Sequence, residues 1–151
     1  MPKIDMTGVV RRTGSQYPSP FDQPCASRIR EKLGDAGGLS QFGVNRLTLP
    51  PGAWSSQRHW HSQEDEFLYV LSGEVTLVDD DGAHLLVAGD CAAFPAGAPN
   101  GHHLQNRSDA DAIVIEVGAR LPDVDATDYP DIDMRHDPKS GYVRRDGSSY
   151  S

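Results

Sequence analysis

The stretch Arg58–Val75, RHWHSQEDEFLYVLSGEV, sets two histidines one residue apart, follows them with a run of acids, and continues into an apolar segment closed by Ser72-Gly73. In an extended strand successive side chains alternate faces, so His59 and His61 point one way and Trp60 the other. Two imidazoles on one face suit zinc, iron, copper or nickel, and an added carboxylate oxygen suits zinc, iron or manganese. Glu64, Asp65 and Glu66 fall where the chain turns into the next strand. There Glu66 shares its face with Leu68 and Val70, so its carboxylate projects into an apolar interior. An ionised carboxylate in that setting is unfavourable unless it is paired or bound to a metal. Taken alone, a His-x-His pair is as readily an incidental feature of an exposed strand. What else the chain supplies separates the two readings.

A second cluster lies downstream. The segment Gly89–Asn106, GDCAAFPAGAPNGHHLQN, presents His102 and His103 just after a turn rich in Pro and Gly. If HHLQN is a strand, His102, Leu104 and Asn106 face inward together and His103 faces out.

Working outward from these segments, apolar runs of strand length recur from Gln41 onward: QFGVNRLTL, FLYVL, EVTLV, HLLVA, CAAF, HHLQN and AIVIEVG. Pro, Gly and Asp clusters separate them, which predicts an all-β sandwich or barrel. Asp79–Gly82, DDDG, reads as a hairpin connection, and Pro50–Gly52 ends the first long strand because proline has no N–H to give a ladder. Residues 1–40 form an arm rich in Pro, Ser, Gly and Gln in its first part. Its one helical pattern is SRIREKLGD, with Ile29 and Leu33 at i and i+4 and Gly34 as a stop. The barrel region spans residues 41–119. Residues 120–151 are rich in Asp and Pro and read as an extended tail.

Composition narrows the classes. A chain of 151 residues is sized for one domain. Its 22 acidic against 14 basic residues give a net charge of −8, which disfavours nucleic acid or an anionic membrane as partner. Cys25 and Cys91 lack CxxC spacing and read as reduced thiols. The N-terminus MPKIDMTG has no apolar core of a leader, and no apolar run approaches membrane-spanning length, so a cytoplasmic location is expected. Trp54, Trp60 and Tyr69 lie away from the histidine face and read as packing or interface aromatics. Cys91 reads as a small core residue, His84 and His136 as surface residues, and the alternation around Arg46 leaves its face undecided.

Together the two segments resemble the two motifs of the cupin superfamily, G-x5-H-x-H-x3,4-E-x6-G and G-x5-P-x-G-x2-H-x3-N. His59-x-His61, four residues, Glu66, six residues and Gly73 match the core of the first. Gly89, five residues, Pro95-x-Gly97, then His102, three residues and Asn106 match the second. Six residues stand between Gly52 and His59 where the pattern has five, and four between Gly97 and His102 where it has two. Both extra lengths fall in turns, and the spacing to Asn106 favours His102 over His103. The resemblance covers roughly residues 41–119.

The resemblance implies a double-stranded β-helix, or jelly-roll barrel. It also implies that His59, His61, Glu66 and His102 bind one divalent ion: zinc, iron, manganese or nickel. Four ligands on an octahedral ion leave two positions for a bidentate substrate, water or dioxygen. Members include isomerases, lyases, dioxygenases and plain binding proteins, so the fold does not choose the reaction. Two function classes follow, a metal-dependent enzyme on a small polar, oxygen-rich substrate and a small-molecule-binding or sensor barrel in which the metal is an anchor. Gln57, on the His59 face if the strand starts early, and Asn106, beside His102, are candidate substrate contacts; hydrogen bonding to backbone is the competing role for each. An acid or base in the cavity beyond the ligands favours the enzyme, and an apolar cavity favours binding. Compact cupins commonly pair through an edge strand, so a homodimer is expected, with arm and tail long enough to cross onto a partner or to cover an open sheet edge.

Overall fold

Alternation along the long apolar strands decides which side of the sheet turns inward, and the chain closes around that side. The computed structural model describes residues 2–150. In order, the strands are β1 (Arg11–Thr13), β2 (Ile29–Lys32), β3 (Phe42–Leu49), β4 (Trp60–His61), β5 (Glu66–Ser72), β6 (Glu74–Asp79) and β7 (Gly82–Val87), followed by β8 (Cys91–Phe94), β9 (His103–Gln105), β10 (Ala112–Ala119), β11 (Thr127–Tyr129), β12 (Met134–Asp137) and β13 (Gly141–Val143). A single helical turn, α1 (Leu33–Ala36), follows β2. One sheet has the order β1-β2-β3-β10-β5-β8, all antiparallel. Facing it are the sheets β7-β6-β9 and β13-β12-β11-β4. Bridges between His59 and His102 and between Trp54 and Gln105 join β9 to the segment leading into β4. The result is a double-stranded β-helix, within the all-β class that the strand pattern predicts and as the resemblance implies.

The core lies between the layers. Leu47 and Leu49 of β3, Leu68 and Val70 of β5, Val75 and Leu77 of β6, Leu104 of β9 and Val114 of β10 are buried together. Burying each such side chain contributes about 1.5–3 kcal/mol. Two turns need glycine. At Gly82, φ is +125° at the end of the β6–β7 hairpin. At Gly73, φ is +74° and a Cβ would stand 2.6 Å from the Asp111 carbonyl oxygen, so no side chain fits between β5 and β6.

The arm and tail differ from the sequence reading. Within SRIREKLGD, residues Ile29–Lys32 form strand β2, paired with β3 from Ile29 opposite Thr48 to Lys32 opposite Asn45, and only Leu33–Ala36 are helical. Two apolar residues offer a helix little to bury, and nucleation is unfavourable, whereas the open edge of β3 accepts backbone hydrogen bonds at once. The tail is not simply extended. Strands β11, β12 and β13 form a meander that pairs with β4, clipped by Arg58, which donates to Asp131 at 2.7 and 2.8 Å and to the Gly101 carbonyl. Both ends therefore cover edges of their own barrel. No helix among the described residues is long and apolar enough to cross a membrane.

Candidate metal centre

The short strand β4, the start of β5 and the residue before β9 bring the motif side chains to one end of the interior. His102 Nε2 lies 2.6 Å from Glu66 Oε2, His59 Nε2 lies 3.5 Å from the same oxygen, and His61 Nε2 lies 3.4 Å from Glu66 Oε1. His59, His61 and Glu66 each offer one ligand atom within 4.8 Å of the others. His102 joins them through Glu66, its ring stacked on Phe94 at 3.5 Å between centroids.

The other nitrogen of each ring faces outward to an anchor. His59 Nδ1 is 2.9 Å from the Gln57 carbonyl, His61 Nδ1 is 2.7 Å from Asp125 Oδ2, and His102 Nδ1 is 3.3 Å from the Asn100 carbonyl. The Nε2 atoms share hydrogen bonds with the Glu66 carboxylate; the outer oxygens can keep the Nδ1 protons, so that loss of the Nε2 proton leaves the Nε2 lone pairs for a cation. That is the arrangement a divalent cation takes, with outer partners fixing ring orientation and tautomer.

The electrostatics agree. Burial disfavours the charged form of His61, but its contacts with Glu66 and Asp125 outweigh burial and hold its pKa up at about 9. Burial also opposes ionisation of Glu66, yet His59 and the hydrogen bonds from the three imidazoles keep it well below the usual carboxylate range. At His102 burial prevails over the bond to Glu66 and lowers the pKa. The cluster thus holds an ionised carboxylate and concentrates a proton where a cation would displace it.

His103 takes no part in the cluster, and it is not exposed either. It is buried on the other side of its strand against Trp54, with Nδ1 2.8 Å from the Ser56 carbonyl, and burial lowers its pKa to about 4. Gln57 and Asn106 are not among the residues that line the cavity. Gln57 donates through Nε2 to the Phe21 carbonyl at 2.8 Å, because the arm passes over it and takes up its amide. Asn106 is buried, donates to the Leu49 and Ala110 carbonyls at 2.7 and 2.8 Å, and accepts from Ser108, so its amide is consumed in pinning the strand end. Cys91 is exposed and not in the core: on β8 it is Ala92 and Phe94 that pack inward. Arg46 faces outward in a bidentate pair with Glu31.

Above the histidines opens a cavity of about 400 Å³. Its lining is mixed. Beyond the cluster it carries Glu116 of β10, Tyr17 of the arm, Tyr142 of β13, and a row of cations, Arg28, Arg30 and Lys32. Arg30 clasps Glu116 bidentately at 2.7 and 3.0 Å. The helical reading of residues 27–35 concealed this row. The signal was nonetheless present, since Arg28-x-Arg30-x-Lys32 alternates with the period of a strand and puts three cations on one face. Asp125, whose Oδ1 also accepts from the Gln63 and Glu64 N–H groups, has no comparable signal in its Asp-rich surroundings.

A jelly-roll barrel with a three-histidine, one-carboxylate cluster at one end of its interior defines the class. The Cupin domain family matches residues 45–118. A protein of Silicibacter pomeroyi, described as a sugar phosphate isomerase from a cupin superfamily, is 50% identical, with 99% of this chain and 97% of that one aligned at a TM-score of 0.91. An Acidithiobacillus ferrooxidans protein, assigned provisionally as a sugar phosphate isomerase, is 31% identical over 83% of this chain and 81% of its own, at a TM-score of 0.74. A polyketide cyclase of Streptomyces resistomycificus, 19% identical over 79% of each chain at a TM-score of 0.61, shares the fold alone. Comparison with curated proteins gives no match. The chain belongs to the cupin superfamily.

Proposed function

We propose that the protein is a metal-dependent isomerase of a small, polyhydroxylated substrate, with His59, His61, Glu66 and His102 holding one divalent ion of zinc, iron, manganese or nickel. The observation that carries this reading is an ionisable group in the cavity beyond the cluster: Glu116 faces the same interior, on the strand whose Gly118 pairs with Glu66. A binding barrel needs no such carboxylate. The description attached to the Silicibacter pomeroyi relative supports the same class.

When bound, the cation supplies Lewis acidity toward a hydroxyl and a neighbouring carbonyl oxygen of the substrate. Glu116 takes the proton from the carbon beside the carbonyl and returns it to the carbonyl carbon, while the hydroxyl proton passes between the two oxygens, so that atoms and charge balance. Arg30 holds the Glu116 carboxylate in position through its two bonds. Tyr17 and Tyr142 remain protonated, since burial pushes both hydroxyls up from their ordinary pKa, and each is a donor to substrate oxygens. Incubating metal-loaded protein with aldoses and aldose phosphates in deuterated water tests the reading. Deuterium should enter at the carbon next to the carbonyl. Bound metal and bound sugar with no exchange would establish the sensor barrel instead.

Assembly as a homodimer is proposed on the outer face of β5, where Tyr69 and Leu71 lie exposed beside Val87 of β7 and Cys91 of β8. Light scattering at micromolar concentration should give twice the chain mass.

A further inference from the structure

The arm strand β2 has a use beyond covering an edge. On a chain of net charge −8, Arg28, Arg30 and Lys32 turn three cations in five residues onto one wall of the cavity that holds the histidine cluster. Among the described residues two carboxylates stand against them: Glu116, spent on Arg30, and Asp35, which Lys32 shares with a fourth cation of the cavity lining, Arg120. Arg28 is buried; its Nε donates to the Gly14 carbonyl at 3.0 Å and its Nη1 to the Ser55 carbonyl, which leaves Nη2 with no acceptor among the described residues. Arg30 likewise commits Nε and Nη2 to Glu116 and keeps Nη1. Lys32 stands 3.8 Å from Asp35, too far for a hydrogen bond.

Four cations against two carboxylates leave two net positive charges and several unclaimed N–H donors facing a half-open cavity, an arrangement that favours an anion there. The placement fits the other end of the substrate. Strand β2 is three neighbours from β5 in the sheet, about 14 Å along its curve at 4.8 Å per strand, and long side chains reach inward from both ends of that span. A short carbon chain with oxygens at one end for the cation and an anionic group at the other bridges it.

We propose that Arg28, Arg30 and Lys32 form the binding site for the phosphate group of a phosphorylated sugar, fixing the substrate so that its carbonyl end meets the histidine cluster, with Glu116, on β10 between the two strands, reaching the carbons that lie between. The proposal rests on the isomerase reading for its substrate, but not for its site. A phosphate monoester dianion matches the net charge of the wall, and arginine offers the paired donors that phosphate oxygens accept. Tyr17, with the Arg28 guanidinium carbon 6.0 Å from its ring centroid, adds a hydroxyl at the same wall.

The test is calorimetric titration of inorganic phosphate into the metal-loaded, full-length protein. Wild type should bind it, with gluconate at equal concentration binding at least tenfold more weakly. Lys32→Met and Arg30→Met should each weaken phosphate about 10- to 100-fold, with metal content and thermal midpoint of Lys32→Met unchanged. Glu116→Gln should bind phosphate at least as tightly as wild type while losing proton exchange. His59→Ala should lose metal and keep phosphate. Phosphate affinity unchanged within twofold in both cation variants, or lost with the metal in His59→Ala, or matched by gluconate, would overturn the site. Phosphate binding that follows this pattern without proton exchange in wild type would overturn the isomerase reading and leave the site standing.

Discussion

The two ends of the cavity are built from different kinds of sequence. At one end, His59, His61, Glu66 and His102 sit on elements whose period, turns and spacing declare them residue by residue along the chain. At the other, Arg28, Arg30 and Lys32 ride on a strand that exists only because β3 has an edge to offer. At the first end the rings of His59 and His102 are each anchored two residues away, while His61 is anchored by Asp125 of the tail; the second end is held by the pairing of β2 with β3 and by the clasp of Arg30 on Glu116. The comparison shows that a motif locates the metal-type cluster but not the rest of the cavity wall around it.

Several experiments sharpen or break that contrast. The largest effect belongs to the histidine end: Glu66→Gln or His59→Ala should reduce metal from one ion per chain to almost none by elemental analysis, because each removes a converging ligand. Retained stoichiometric metal in either variant would break the assignment. Asp125→Asn should weaken metal binding about 10- to 100-fold in a competition with a chelator, the usual effect of losing an outer hydrogen bond to a ligating histidine. A third test concerns the hinge between strands: Gly73→Ala should cost about 1–3 kcal/mol in urea unfolding from the positive φ alone, and more from the close approach to Asp111.

The smallest effect is in pH, where two histidines act in opposite directions. His61 has its pKa raised to about 9 in the folded, metal-free chain. Its contribution is complete below the unfolded value of about 6.5 and is lost as pH rises through the folded value, so metal-free protein should lose thermal stability between about 6.5 and about 9. Loading with metal should flatten that limb, since a ligating His61 has no such proton to lose. His103 has its pKa lowered to about 4, so its contribution is complete above about 6.5 and lost as pH falls toward about 4. His103→Gln should soften the acid limb and leave metal content alone. Thermal midpoints across pH, with and without chelator, check both signs.

Much of the fold was legible. The strands from β3 to β10 were visible as apolar runs between turn residues, and Gly73 and Gly82 were visible as turn positions, because a period of two and the exclusion of side chains from positive φ are local properties. Glu66 was legible because an acid in phase with Leu68 and Val70 has no tolerable fate except pairing or ligation. The arm was not, because RIREK is compatible with a helix until a neighbouring strand competes for its backbone. Gln57 and Asn106 were on plausible faces, but whether an amide meets a substrate or a carbonyl depends on which distant segment passes by, and here Phe21, Leu49 and Ala110 do.

By itself, then, the sequence determined the all-β class, which follows from local period and turns, and its resemblance to the cupin motifs implied the jelly roll and the four side chains that gather at one end of its interior. Only the tertiary structure decided that His103 is buried against Trp54 instead of facing out, that the tail lends Asp125 to His61, and that the arm lays a row of cations along the same cavity. Those outcomes depend on contacts between residues far apart in the chain, and the sign and position of such contacts are set by which edges and faces the folded barrel leaves open.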